Sequence, residues 1–343
     1  MNNLEIFKDY LGSSKKIVLI PHFKPDADAL GSALGLYLYL RKKGHAVTVL
    51  SPSDYPDFLS WMPGHDKVLV YHKDRSGSKA SQLISDADTI FCIDFSSLSR
   101  LEGLGEFVKA SKAKKVLIDH HLQPEAFADF EQWDDTAAST AELVYQLICE
   151  LGDESLIDAE IANCLYAGIM TDTGGFRHSN TGHRQFQVAG ALVSRGADPF
   201  VISKLIYDTN SIERLRLIGY VLSNKLQVLP EYRTAYMVLT ADELRRFSSQ
   251  TGDTEGLVNY GLSIKGVKLS VMISDRRENI KLSFRSLGKF SVNDLARAHF
   301  NGGGHRNAAG GQTTLTLEET LKKFLDLLPD YKEALLEEEE IFR

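Results

Sequence analysis

Cysteine is scarce in this 343-residue chain, and the three present, Cys92, Cys149 and Cys164, sit inside apolar runs at spacings unlike a zinc ribbon. They read as buried free thiols, which suits a reducing compartment and argues against a thiolate metal site. Long hydrophobic runs are missing as well. No stretch reaches the roughly 18 apolar residues of a membrane span, and Met1-Asn2-Asn3-Leu4-Glu5 lacks the apolar segment of a signal peptide, so a cytoplasmic protein with no membrane partner is expected. Nor is there a surplus of positive charge. A net charge of -7 argues against a broad footprint for long or duplex nucleic acid and suits a small, locally gripped substrate. Part of that charge is the run Glu337-Glu338-Glu339-Glu340, read as a solvated helix end. Residues 184–228 carry no internal repeats or low-complexity tracts.

What is present is a set of apolar runs that end on metal-capable side chains. Val116-Leu117-Ile118 runs into Asp119-His120-His121. Ile17 to Ile20 leads into Pro21-His22-Phe23-Lys24-Pro25-Asp26-Ala27-Asp28, Ile90 to Ile93 ends on Asp94, and the periodic stretch Ile161 to Ile169 runs into Asp172. An open α/β sheet binds ligands at the carboxyl edge of its strands, where such residues collect. Each has an ordinary rival: Asp94 as a helix cap, Asp172 as a turn residue, His22 as a loop histidine. Those rivals do not explain why the pattern occurs four times. Imidazoles with hard carboxylates and no nearby thiolate favour Mn²⁺ or Mg²⁺. Six candidates, His22, Asp26, Asp28, Asp94, His120 and Asp172, exceed the need of one ion. Two ions roughly 3.5 to 4 Å apart, bridged by one carboxylate, would use them all and generate a hydroxide for in-line attack on phosphorus.

These motifs resemble the DHH phosphoesterase superfamily, in His22-x-x-x-Asp26-x-Asp28 and in the Asp119-His120-His121 triplet. Near the carboxyl end, Gly302-Gly303-Gly304-His305-Arg306-Asn307-Ala308-Ala309-Gly310-Gly311 is similar to the glycine-rich signature of the DHH-associated domain. Ala27 departs from the glycine common between the two aspartates, a change tolerable where φ stays negative. Gly168-Ile169-Met170-Thr171-Asp172-Thr173-Gly174 looks most like the branch acting on nanoRNA and pAp.

The resemblance implies hydrolysis of short single-stranded oligoribonucleotides, including linear dinucleotides such as pApA and pGpG, and of the 3′-phosphate of pAp. It also implies two divalent cations, Mn²⁺ first with Mg²⁺ or Co²⁺ as substitutes, and a homodimer. The implied partition gives His22, Asp26 and Asp94 to one ion and Asp28, Asp94, His120 and Asp172 to the other. His121 would contact the scissile phosphate or leaving oxygen, with Asp119 in support. Arg285 resembles the family's substrate-binding arginine. Gly303 and Gly304 offer N–H groups to an anion, His305 and Asn307 add donors, and Arg177 and His178 are weaker candidates for lining the cleft. Exopolyphosphatase, inorganic pyrophosphatase and a non-enzymatic nucleotide-binding module are the competing readings.

The expected architecture is α/β. Strands at 16 to 20, 46 to 50, 89 to 93 and 115 to 118, separated by helical patterns such as Ala29 to Lys43, imply a doubly wound, mostly parallel sheet over residues 1–190. Residues 191–229 read as a helical connector. Residues 230–343 read as a smaller α+β domain with antiparallel strands at 234 to 239, 268 to 274 and 279 to 284.

Overall fold

The computed structural model describes residues 1–71 and 77–338, so Glu339 and Glu340 of the acidic run lie outside the described residues. The chain divides into two units, Met1–Thr209 and Asn210–Arg343. The first sheet consists of β1 (Lys16–Pro21), β2 (Ala46–Ser51), β3 (Leu69–Val70), β4 (Thr89–Ile93), β5 (Lys114–Asp119) and β6 (Phe130–Trp133). Their order is β3-β2-β1-β4-β5-β6, and every pairing is parallel. β1 and β4 are buried almost end to end, as strands of a parallel sheet covered on both faces must be.

Helices of this unit are α1 (Leu4–Leu11), α2 (Ala27–Lys42), α3 (Gly77–Asp86), α4 (Gly105–Ala110), α5 (Thr140–Glu150), α6 (Ala159–Asp172), α7 (His183–Ser194) and α8 (Pro199–Tyr207). Ile17, Leu19, Phe91, Ile93, Val116 and Ile118 point into one core with α2, α5 and α6. Val18, Ile20, Ile90, Cys92 and Leu117 form the other with residues of α3 and α4. The period of two that sends alternate strand residues to opposite layers is thus fully used. The edge strands β3 and β6 are too short to carry a sequence signal.

Chain order reverses around β1 and β4, and doubly wound sheets open a crevice beyond the carboxyl ends of the strands at such a point. α2 leaves β1 there, capped by Asp26, whose Oδ1 accepts the N–H groups of Asp28 and Ala29 at 3.0 and 3.1 Å. Ala27 takes helical φ at the start of α2, so its methyl group is accommodated. α2 packs tightly on α6 because two contact positions lack Cβ. A Cβ on Gly31 would meet the Cys164 carbonyl oxygen at 2.4 Å, and one on Gly168 would meet Asp28 Oδ1 at 2.6 Å.

The second unit comprises α9 (Ile212–Asn224), β7 (Gln227–Leu229), β8 (Thr234–Leu239), α10 (Ala241–Arg246), α11 (Leu257–Leu262), β9 (Leu269–Asp275), β10 (Ile280–Ser286), α12 (Val292–His299), β11 (Gly303–His305), β12 (Ala308–Thr313), α13 (Leu317–Leu327) and α14 (Lys332–Leu336). Its sheet order is β11-β12-β10-β9-β8-β7. β9 and β10 form the expected antiparallel hairpin, but β8 and β9 are parallel, which corrects the all-antiparallel expectation. The helices between them carry the chain back to the starting edge, as a parallel pair requires. The stretch 191–229 is shared between the units: Ile202 and Ile206 of α8 join the first core, whereas Leu217 and Val221 of α9 pack with Met237 and Leu239.

Candidate metal centre

Three neighbouring strands deliver the central residues. β1 is followed by His22, β4 by Asp94, and β5 ends on Asp119 with His120 and His121 next, so their carboxyl ends lie side by side. The first turn of α2 adds Asp28 beside its cap Asp26, and the last residue of α6 is Asp172. All six expected ligands and both expected helpers of the first unit therefore meet in one place.

Asp94 is at the middle of it. Its Oδ2 lies 3.6 Å from His22 Nε2, and its Oδ1 lies 3.5 Å from His120 Nε2 and 3.6 Å from His121 Nδ1. His22 Nε2 is also 3.9 Å from Asp26 Oδ2, while His120 Nε2 is 3.7 Å from Asp28 Oδ2 and 3.3 Å from Asp172 Oδ2. The donor atoms of His22, Asp26 and Asp94 lie within 4.8 Å of one another, as do those of Asp28, Asp94 and His120. One carboxylate common to two such groups is the arrangement a pair of hard divalent ions needs, so the residues fit that cofactor. Asp94 itself has φ 65, a left-handed conformation uncommon outside glycine, and it caps no helix; the following 3-10 turn is capped by Ser97.

Burial sets the charges. Asp28 and Asp94 are 0% and 2% exposed, and burial together with their carboxylate neighbours pushes both carboxyl groups well above the usual range. Burial opposes a charge on His120, but the hydrogen bond it donates to Asp172 and the Asp94 and Asp28 charges outweigh it and hold the imidazole well above its ordinary value. His22 is different: burial lowers it to about 4, leaving a neutral ring. The Nδ1 atoms of His22 and His120 face the backbone carbonyls of Phe23 and Ala137, which sets Nε2 of each ring toward the carboxylates.

Asp119 is fully buried and accepts from His121 Nδ1 at 2.7 Å. Burial pushes its carboxyl up, yet His121 keeps it below the usual range. The indole of Trp133 holds the same segment by donating to the His121 carbonyl. Sequence reasoning missed Thr140 and Ala141. Their N–H groups donate to Asp28 Oδ2 and Oδ1 at 2.7 and 2.9 Å, and Thr140 Oγ1 donates to Asp94 Oδ1 at 2.8 Å. The available signal was the helix start Ser139-Thr140-Ala141-Glu142, where Ser139 accepts the Glu142 N–H. Arg177 is committed to the Gly174 carbonyl, and His178 Nδ1 lies 3.4 Å from the Asp172 carbonyl, so both brace the turn after α6.

In the second unit, Arg285 on β10 is in register with Ala308 on β12, next to the glycine-rich hairpin. In the hairpin the Gly302 N–H donates to the Ala296 carbonyl and the Gly304 N–H to Asn293 Oδ1. Close packing explains the glycines, since a Cβ on Gly302 would meet the Gly310 carbonyl oxygen at 2.0 Å. Asn307 Nδ2 donates to Ser286 Oγ and the Gly288 carbonyl, bracing the turn after β10. Gly303 and His305 lie half-buried on β11.

A phosphate ester is the class of substrate such a cluster can hydrolyse, and comparison with known proteins agrees. Residues 16–169 match the DHH family, N-terminal domain, and residues 234–334 match the DHHA1 domain. The chain belongs to the DHH family, and with it to the hydrolases that act on phosphate esters. It is 31% identical over 319 residues to the bifunctional oligoribonuclease and PAP phosphatase NrnA of Thermus thermophilus, covering 90% of this chain and 88% of that one. The Bacillus subtilis protein of the same name is 29% identical over 298 residues, 86% and 88% of the two chains. The crystal structure of an exopolyphosphatase-related protein from Bacteroides fragilis is similar with a TM-score of 0.91 and 43% identity, over 98% of each chain.

Proposed function

We propose that the protein hydrolyses short oligoribonucleotides, including linear dinucleotides such as pApA and pGpG, to mononucleotides, and removes the 3′-phosphate of pAp. The observation that carries this reading is Asp94 standing within 3.6 Å of both His22 and His120, between two groups of candidate ligands. The names of the Thermus and Bacillus relatives support the substrate class, and the -7 net charge suits short substrates over long ones.

His22, Asp26 and Asp94 would hold one divalent ion, and Asp28, Asp94, His120 and Asp172 the other, with manganese preferred. Bound there, the ions would lower the pKa of a water toward neutrality and offset the negative charge that develops at phosphorus. The chain's own groups do the rest. Asp119 orients His121 by accepting from Nδ1, and the His121 imidazolium contacts the phosphate and gives its proton to the departing oxygen. Arg285 and His305 bind substrate phosphates, the guanidinium by a bidentate contact. No helix among the described residues is long and apolar enough to cross a membrane, and we place the enzyme in the cytoplasm, working as a homodimer.

Polyphosphate hydrolysis is the second reading, favoured by the exopolyphosphatase-related neighbour. Phosphate or mononucleotide release from pAp, pGpG, pApA, a five-nucleotide RNA, pyrophosphate and polyphosphate with Mn²⁺ separates the two. Turnover of the dinucleotides and pAp is the expected result; preferential turnover of polyphosphate, or of structured RNA at the dinucleotide rate, overturns it.

A further inference from the structure

Asp28 and Asp94 reach the centre from different elements, α2 and the loop after β4, and both are buried. Two carboxylates brought that close repel, so something must hold them in register. The first N–H groups of a helix have no partner within it and carry its positive end. α5 spends two of these on Asp28, whose two oxygens each accept one. Asp94 receives no backbone donor from α5. It is tied to the same helix through the Thr140 hydroxyl alone, at 2.8 Å. Thr140 thus touches both carboxylates at once, with its N–H on one and its hydroxyl on the other. It is itself fully buried, and its branched Cβ restricts the hydroxyl to few rotamers.

We propose that Thr140 is a positioning residue that sets the distance and orientation between Asp28 and Asp94, and so tunes the affinity of the centre for divalent cations. This rests on the reading of the cluster as a metal site. The hydroxyl proton points at Asp94 Oδ1, leaving Asp94 Oδ2 for the His22 side. Removing the hydroxyl leaves Asp94 free to rotate and mis-aims the carboxylate shared by the two groups.

The test is Mn²⁺ binding to metal-stripped protein by calorimetry, with the free ion counted by electron paramagnetic resonance, and the thermal midpoint of the stripped protein measured alongside. Thr140→Val keeps the volume and loses the hydroxyl; it should weaken Mn²⁺ binding about 10- to 100-fold, the range for losing a group that orients a ligand. Thr140→Ser retains the hydroxyl and should restore binding to within about threefold of the parent, the rescue expected of a hydroxyl-specific role. A residue that served only packing would lower the stripped protein's midpoint and leave affinity intact. Parent-like affinity in Thr140→Val, or equal losses in the valine and serine variants, overturns the proposal. Should the valine variant not fold, Thr140→Ala against Thr140→Ser reads the same difference. A parent protein that binds no Mn²⁺ at all would instead sink the metal-site reading itself.

Discussion

Replacing Asp94 by Asn changes one buried oxygen to an amide, and the structure says how the protein should respond with and without metal. In the stripped protein, Asp94 is a buried group whose charged form is disfavoured by burial and by Asp28. Neutralising it should stabilise the stripped first unit, because an amide carries no charge to desolvate and none to repel Asp28. With metal the sign reverses. An ion at about 1,000 times its dissociation constant stabilises the folded parent by about 4.1 kcal/mol. For a unit of some 200 residues each kcal/mol moves the midpoint by roughly 2–4 °C, so the parent should gain roughly 8–16 °C. Asp94→Asn, having lost the carboxylate both groups share, should gain little.

The pH dependence follows from the same group. A carboxyl whose folded pKa is raised contributes relative stability that is full below its unfolded value, about 3.9, and lost as pH rises through the folded value. The advantage of the Asn variant over the stripped parent should therefore be largest at pH 8 and shrink as the pH is lowered. Differential scanning calorimetry of both proteins, with chelator and with Mn²⁺, measures every term. An Asn variant that melts below the parent when stripped, and still shows the full metal shift, refutes the shared-carboxylate reading.

Other consequences are simpler to state. Gly168→Ala should destabilise by about 1–3 kcal/mol in urea melts, although alanine is the better helix former by about 1 kcal/mol, because the new methyl group meets Asp28 Oδ1 at 2.6 Å and Ala141 Cβ at 2.7 Å. It should weaken Mn²⁺ binding too; a more stable variant with unchanged binding would contradict the packing account. Mn²⁺ loading should release protons, since His120, Asp28 and Asp94 all hold theirs more tightly than usual, and affinity should climb as pH rises above the ordinary histidine value of about 6.5. Titrations in buffers of different ionisation enthalpy count those protons, and a count of zero would be inconsistent with the raised values. Arg285→Lys should raise KM for dinucleotides about tenfold with kcat nearly unchanged, because lysine keeps the charge and loses the bidentate fork; a fall in kcat alone would move Arg285 from grip to chemistry.

Local chemistry was legible in the sequence, and long-range placement was not. The four main strands of the first sheet announce themselves as apolar runs, and the residue types that end three of them, His22, Asp94 and the Asp119 to His121 triplet, mark the reactive edge. Asp26 as the cap of α2 follows the same local rule. The two-residue β3 and four-residue β6 were invisible because so few residues establish no period. The parallel pairing of β8 and β9 was invisible because strand direction depends on how the chain returns, not on the strand's own residues.

The same division runs through the site. Residue type alone determined that imidazoles and carboxylates would gather at one sheet edge, since hydrophobic periodicity and ligand chemistry are written into consecutive residues. Only the tertiary structure decided that Asp94 stands between His22 and His120, that Thr140 ties Asp28 to Asp94 across 112 and 46 residues of chain, and that Gly304 and Asn307 spend donors on α12 and on the turn after β10. The physical reason is that a donor's partner is set by which elements pack together, and packing joins residues that no local pattern connects.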